Sequence, residues 1–198
     1  MWTFERRAIQ HGYTVIAGVD EAGRGPLAGP VVSAAVILPQ GLPDHGITDS
    51  KKLSARQRER LHGIILDKAV CVATGMASPE EIDTLNILQA SLLSMKRAVQ
   101  GLMPVPDFLL VDGLFTINHP VSQEAIVKGD SRSISIAAAS IIAKVTRDAM
   151  MMDLHHQYPE YGFDRHKGYP TRAHREALAR FGPSPVHRVS FRGVVTGD

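Results

Sequence analysis

The sequence predicts an α/β fold, a mixed sheet flanked by helices. Three observations carry that prediction. Apolar, β-branched runs come first, at residues 13–19 and 31–38, and further such runs then alternate with amphipathic segments. Two of the amphipathic segments open with capping boxes, in which a serine and the Gln or Glu three residues later satisfy each other's backbone donors. The 198 residues, 44% hydrophobic and 21% charged, are enough to build one domain with a buried core.

Each element follows from local chemistry. Residues 13–19 read as a buried strand ending at Asp20-Glu21, after a short polar start. Glycines and prolines between Gly23 and Pro30 forbid a helix and mark a structured loop, so residues 31–38 form a second strand, antiparallel to the first. Residues 39–49 are again a loop. Ser54 and Gln57 open a helix to about Lys68, and residues 69–77 read as a strand. Ser78 and Glu81, with Pro79 at the first helical position, then open one continuous helix to Gly101. Phe108-Leu109-Leu110-Val111 has the unbroken apolar character of a central strand and hands over to Asp112. A strand over residues 124–127, the turn Lys128-Gly129-Asp130-Ser131 and a long helix over residues 133–155 come next. Residues 159–170 read as a loop, and Thr171 caps a last helix to Phe181.

Several function classes drop out. No apolar stretch approaches the ~18–20 residues of a membrane span, and the N-terminus lacks the apolar core of a secretory signal; a cytoplasmic protein is expected. The single cysteine, Cys71, lies in an apolar run and reads as core packing. A net charge of +2 is too small for a generic polyanion binder. Seven basic residues do fall between Asp164 and Arg192 against two acids, Asp164 and Glu176. On one face they would track a phosphate backbone; unconnected, they are a solvated surface.

The acids carry more information. Asp20-Glu21, Asp112 and Asp130 each stand where a strand gives way to a loop, the position at which α/β sheets gather their ligand sites. Carboxylates converging there repel one another unless cations neutralise them, and hard oxygen ligands suit Mg²⁺ or Mn²⁺. A pair of such ions is a recurring device for phosphodiester hydrolysis. The glycines of Gly23-Arg24-Gly25 let the backbone approach a ligand, and Arg24 offers a charge-assisted donor. The segment also fits the dinucleotide pattern G-x-G-x-x-A, but Pro26 and Pro30 and the strand that follows exclude the helix this pattern requires. Asp49-Ser50-Lys51-Lys52 can hold a phosphate, although locally it reads slightly better as the polar start of a helix. Tyr169, in Lys167-Gly168-Tyr169-Pro170, can stack on a sugar or base, or simply pack. The histidines show no metal-ligand spacing, and Met150 to Met152 read as packing.

The run Gly18-Val19-Asp20-Glu21-Ala22-Gly23-Arg24-Gly25-Pro26-Leu27-Ala28-Gly29-Pro30-Val31, with Asp49-Ser50-Lys51-Lys52-Leu53, closely resembles ribonuclease HII. Val111-Asp112-Gly113, Lys128-Gly129-Asp130-Ser131, the segment from Ile136 to Val145 and Lys167-Gly168-Tyr169 continue the match in order. The resemblance implies a ribonuclease H-like catalytic domain over residues 1–155 and a C-terminal helical extension over residues 156–198 that contacts substrate. It implies a monomeric endonuclease that cuts the RNA strand of RNA–DNA hybrids and nicks 5′ of single ribonucleotides in duplex DNA. Asp20, Glu21, Asp112 and Asp130 become catalytic acids holding two divalent cations, Mn²⁺ or Mg²⁺. Gly23, Arg24 and Gly25 meet the ribonucleotide 2′-hydroxyl, Tyr169 stacks near the RNA–DNA junction, and Ser50 and Lys51 join the substrate contacts. A sliding-clamp partner is left open, the tail Val194-Val195-Thr196-Gly197-Asp198 showing no clear docking motif. The rival readings are a non-catalytic nucleic-acid-binding module and another metal nuclease of the same fold.

Overall fold

The computed structural model describes residues 1–43 and 45–195, so the end of the tail segment, Thr196 to Asp198, lies outside the described residues. The chain opens with a helix, α1 (Thr3–Gln10), where sequence reading expects only a polar start. Tertiary packing explains it: Phe4, Ala8 and Ile9 cover a cluster of Ile16, Leu110, Ile126 and Ile136. Glu5, fully buried, accepts hydrogen bonds from the Ser133 hydroxyl at 2.6 Å and the Ser135 N–H at 3.0 Å.

Strands β1 (Ile16–Ala22) and β2 (Val31–Ile37) pair antiparallel as expected. A 3₁₀ turn, Ser50–Lys52, precedes α2 (Ala55–Lys68), and β3 (Cys71–Ala77) pairs antiparallel with β2. Both capping boxes form, at Ser54/Gln57 and Ser78/Glu81. The second does not begin one long helix. It begins α3 (Pro79–Leu85), and a separate helix α4 (Ile87–Gln100) follows. Asn86 makes the break at φ 71°, and its Oδ1 accepts from the N–H groups of Leu88 and Gln89 at 3.0 and 3.1 Å. At ψ 162° the residue lies outside the left-handed helical well and is held by those two cap bonds, and apolar periodicity continues across the break because Ile82, Ile87 and Ala90 share one cluster.

Next come β4 (Phe108–Asp112), β5 (Ser122–Ile126), a 3₁₀ turn at Gly129–Ser131 and the long helix α5 (Ile134–Gln157). The expected loop over residues 159–170 contains a 3₁₀ turn, Pro159–Tyr161, and a four-residue helix, α6 (Phe163–His166). Helix α7 (Arg172–Phe181) is capped by Thr171, whose hydroxyl accepts from the His174 N–H. Among the described residues no helix is long and apolar enough to cross a membrane.

The sheet order is β3-β2-β1-β4-β5, with β1, β4 and β5 mutually parallel. Alternation along β1 sends Ala17 and Val19 toward α4, where they pack with Met95, Ala98 and Val99. Gly18 faces α5: a Cβ there would lie 2.1 Å from the Ser135 carbonyl carbon, so only glycine admits the helix at this distance. Beyond the sheet, α5 packs against α2 through Leu61, Ile65, Ile141 and Ile142. Cys71, half-buried, packs at the edge of the α4 cluster, and Met151 is fully buried in a cluster with Leu27, Ala28, Tyr161, Phe163 and Leu178.

Two buried histidines lie beside that last cluster. The His187 Nδ1 accepts from the Ser184 N–H at 3.0 Å, its Nε2 lies 3.0 Å from the His174 Nε2, and the His174 Nδ1 lies 3.0 Å from the Tyr169 carbonyl. The carbonyl only accepts, so the His174 Nδ1 carries the proton and the His174 Nε2 accepts from the His187 Nε2–H. All the bonds run one way, and protonating either ring at its bare nitrogen would set two donors face to face. Burial, with His174 adding to it, pushes His187 down to about 4, and burial also lowers His174. A depressed folded-state pKa means that the unfolded chain binds more protons between pH 4 and 6.5. Stability is therefore expected to be fully present above pH ~6.5 and to fall as pH drops toward 4, by at most about 3 kcal/mol from His187. Thermal denaturation from pH 7 to 4 tests this: His187→Gln should flatten the slope, and an unchanged slope refutes the assignment.

Candidate active site

Register builds the acid cluster. Pairing of β1 with β4 sets Val19 opposite Val111, so Asp20 and Asp112 follow as neighbours at the same end of the sheet; Asp112 is the last residue of β4, whereas β1 runs on past Asp20 to Ala22, paired with β2, and does not end at Asp20-Glu21 as the sequence suggests. The neighbouring strand β5 ends at Ile126, opposite Asp112, and leads to the Gly129–Ser131 turn, which carries Asp130 to the same end. The Gly129 N–H donates to the Asp112 Oδ1 at 2.6 Å and ties that turn to β4. Asp20, 4% exposed, accepts from the Glu21 N–H at 2.6 Å and lies near Ser140 of α5, whose hydroxyl meets the Ser50 hydroxyl at 2.9 Å.

The electrostatics follow from this crowding. Burial first, then Glu21 and Asp112, hold Asp20 well above the usual carboxylate range. Burial also raises Glu21, with Arg24 opposing and Asp112 adding to the rise. Asp130 is raised by burial, Asp112 and Asp49 against the pull of Lys51. Burial works against the charge on Lys51, but Asp20, Asp130, Asp49 and Asp112 outweigh it and raise that ammonium.

Each of the outer acids has a protein partner. Glu21 meets Arg24 at 3.5 Å, Asp130 meets Lys51 at 3.9 Å, and Asp112 takes the Gly129 N–H. Among the described residues no three of these carboxylates close round one point as a ligand shell. The four are an electrostatic cluster of hard oxygen donors, and Glu21, Asp112 and Asp130 would have to leave or share their present partners to enclose an ion. As a donor set they fit a divalent cation, because their mutual repulsion is what such a charge relieves.

A cleft of about 230 Å³ lies beside the cluster. Every other residue that sequence reading assigns to substrate lines it: Gly23, Arg24, Gly25, Ser50, Lys51 and Tyr169, together with Glu21. The Tyr169 ring, 42% exposed, stands 3.6 Å from where a Cβ of Gly25 would be. Ser140, Lys144 and Arg147 also line the cleft and are absent from the sequence-based site. Their i, i+4, i+7 spacing on one face of α5 is a signal that could have found them.

Arg147 is buried and bound entirely by main-chain carbonyls. Its guanidinium donates to Pro30, Ala28 and Lys167 at 3.0, 3.1 and 3.0 Å, and burial lowers it to about 10. It also explains Gly23, at φ +100°, where a Cβ would come 2.0 Å from the Arg147 Nε. The basic residues between Asp164 and Arg192 do not form a single phosphate-facing surface. Arg188 is fully buried and points inward, while Arg172 pairs with Glu176 at 2.7 Å on the exposed side of α7. Counting charges along the chain could not separate them, since both sit among other basic residues.

The solved structures on which this chain superposes include several ribonucleases H. The ribonuclease H2 from Pyrococcus horikoshii OT3 superposes with a TM-score of 0.78 at 28% identity, covering 91% of this chain and 95% of that one. The RNase HII of a PCNA:RNase HII complex from Archaeoglobus fulgidus gives 0.72 at 29% identity, over 84% and 88% of the two chains. Bst-RNase HIII, solved in complex with Mn²⁺, shares the fold with a TM-score of 0.69 at 20% identity, over 94% of this chain and 70% of that one. The class is thus an endoribonuclease of the ribonuclease H type, a hydrolase acting on RNA–DNA hybrids. Within it, the family model described as Ribonuclease HII matches residues 17–194. Ribonuclease HII of Geobacter sulfurreducens is 56% identical over 194 residues, 98% of this chain and 89% of that protein. Ribonuclease HII of Chlamydia trachomatis serovar D is 57% identical over 192 residues, 96% and 88% of the two. The chain belongs to the ribonuclease HII family.

Proposed function

We propose that this enzyme depends on divalent cations and recognises the ribose at the cut. It nicks duplex DNA on the 5′ side of a single embedded ribonucleotide, leaves 3′-hydroxyl and 5′-phosphate ends, and thereby opens the removal of that ribonucleotide in the cytoplasm. The observation that carries the reading is the convergence of Asp20, Glu21 and Asp112 at one end of the sheet, each close enough to disfavour ionisation of a neighbour. Asp20, Glu21, Asp112 and Asp130 would hold two cations, Mg²⁺ or Mn²⁺; bound there, the ions supply Lewis-acid stabilisation of the phosphate charge and make water a better nucleophile at neutral pH.

The remaining work belongs to the chain. Lys51 and Arg24, already paired to the outer acids, are positioned to take phosphate oxygens once those acids turn to other partners. The loop of Gly23, Arg24 and Gly25 meets the 2′-hydroxyl, the one group that separates ribose from its deoxy neighbour. Tyr169, beside Gly25 of that loop, offers a face for the sugar or base at the junction. In this reading residues 1–155 supply the catalytic acids and residues 156–198 form an extension that adds substrate contacts.

Matched duplexes with zero, one and several ribonucleotides, incubated across a Mg²⁺ and Mn²⁺ series, test the proposal. Cutting only ribose-containing duplexes, with 5′ placement and loss of activity in excess chelator, is the expected result. Cutting the all-DNA duplex would point to a metal nuclease of the same fold without ribose selectivity, and cutting in chelator would rule out the metal mechanism.

A further inference from the structure

Arg188 lies in the C-terminal segment, far along the chain from the acids, yet its whole guanidinium is spent on the glycine-rich loop after β1. Its Nη2 donates to the Gly23 carbonyl at 2.6 Å, its Nη1 to those of Arg24 and Pro26 at 3.0 and 2.8 Å, and its Nε to that of Gly29 at 2.9 Å. The side chain is fully buried, lies 5.1 Å from the Phe191 ring centroid, and makes no ion pair among the described residues. A buried charge with no salt-bridge partner is costly, the Asp83 carboxylate attracting it only from a distance, so four carbonyls from one loop are a specific arrangement and not incidental packing.

The consequence lies on the other side of each peptide. In a trans peptide the C=O and N–H point in opposite directions. Carbonyls of Gly23 and Arg24 that turn in toward Arg188 therefore send the N–H groups of Arg24 and Gly25 the other way, on the stretch of loop that lines the cleft. Neither N–H donates to an acceptor among the described residues. The next N–H beyond an Arg188-bound carbonyl, that of Leu27, is already used by the Gly168 carbonyl at 2.8 Å, and Pro30, after Gly29, has none. Two donors are thus left free, side by side, beside Arg24.

We infer that Arg188 is a positioning residue for ribose recognition: by holding the loop carbonyls inward it presents the Arg24 and Gly25 N–H groups to the 2′-oxygen of the substrate sugar. The inference rests on the proposed reading of the loop as the ribose sensor. The clamp is itself held in place. Asp83 of α3 accepts from the Val189 N–H, the Ser190 N–H and the Ser190 hydroxyl at 3.0, 3.0 and 2.5 Å, and fixes the turn that carries Arg188.

The test compares KM for a duplex with one ribonucleotide against the inhibition constant of the matched all-DNA duplex as competitor. In the wild-type enzyme this ratio should strongly favour ribose. In Arg188→Lys, whose single ammonium cannot span four carbonyls, the preference should fall by about tenfold or more while the all-DNA constant changes by less than about twofold. Asp83→Ala, which loosens the turn without touching the loop, should lower the preference by about threefold with the fold intact, and it decides the matter if Arg188→Lys does not fold. A preference within about twofold of wild type in a folded variant, or equal weakening toward both duplexes, overturns the positioning role. A wild-type enzyme without ribose preference would instead overturn the reading of the loop on which the inference rests.

Discussion

Asp20→Asn is expected to abolish cleavage, by about 10³-fold or more, while raising the melting temperature measured in chelator by about 2–4 °C. The two effects have one cause. Asp20 is buried among Glu21 and Asp112, and its carboxyl is held well above its ordinary range. A group whose folded-state pKa is raised destabilises the fold when ionised, and at neutral pH the neutral amide removes that repulsion. The same crowding is what a divalent cation would relieve, so wild-type melting should rise on adding Mg²⁺ and the Asp20→Asn melting should not. Parallel melting curves with and without Mg²⁺, beside a nicking assay, check both signs. An active variant, or one that melts lower in chelator, would contradict the electrostatic account of the site.

Gly18→Ala is expected to cost about 3 kcal/mol or more, lowering the melting point by roughly 10 °C. Its Cβ would lie 2.1, 2.3 and 2.4 Å from the Ser135 C, Ser135 O and Ile136 N. These are backbone atoms in the first turn of α5, so no side chain can rotate away and the helix itself must lift from the sheet. Helix α5 carries Ser140 and Arg147, so activity should fall with stability even though Gly18 touches no substrate group. Thermal denaturation settles the first part, and a melting point within a few degrees of wild type would mean that α5 can shift at little cost.

Much of the fold and of the candidate site was legible because it is local. Both capping boxes, the apolar runs of β1, β2 and β4, and the acids that follow those apolar runs in β1 and β4 are properties of short segments. What escaped reading depends on distant residues. Helix α1 exists because Phe4, Ala8 and Ile9 find apolar residues of four other elements, β1, β4, β5 and α5. The break at Asn86 is hidden because the apolar pattern is the same on both sides of it. Arg147 had a readable spacing with Ser140 and Lys144, but Arg188 is one arginine among several in a basic tract. Only the tertiary fold distinguishes a guanidinium turned inward onto carbonyls from one left in water.

The bond from Arg188 to Gly23 spans 165 positions of the chain. Asp20, Glu21, Asp112 and Asp130 are all synthesised before the residue that holds the loop after β1. A chain that stopped between Asp130 and Arg188 would carry every acid and still lack the clamp. Synthesis order therefore makes the support of that loop one of the last contacts the fold can complete.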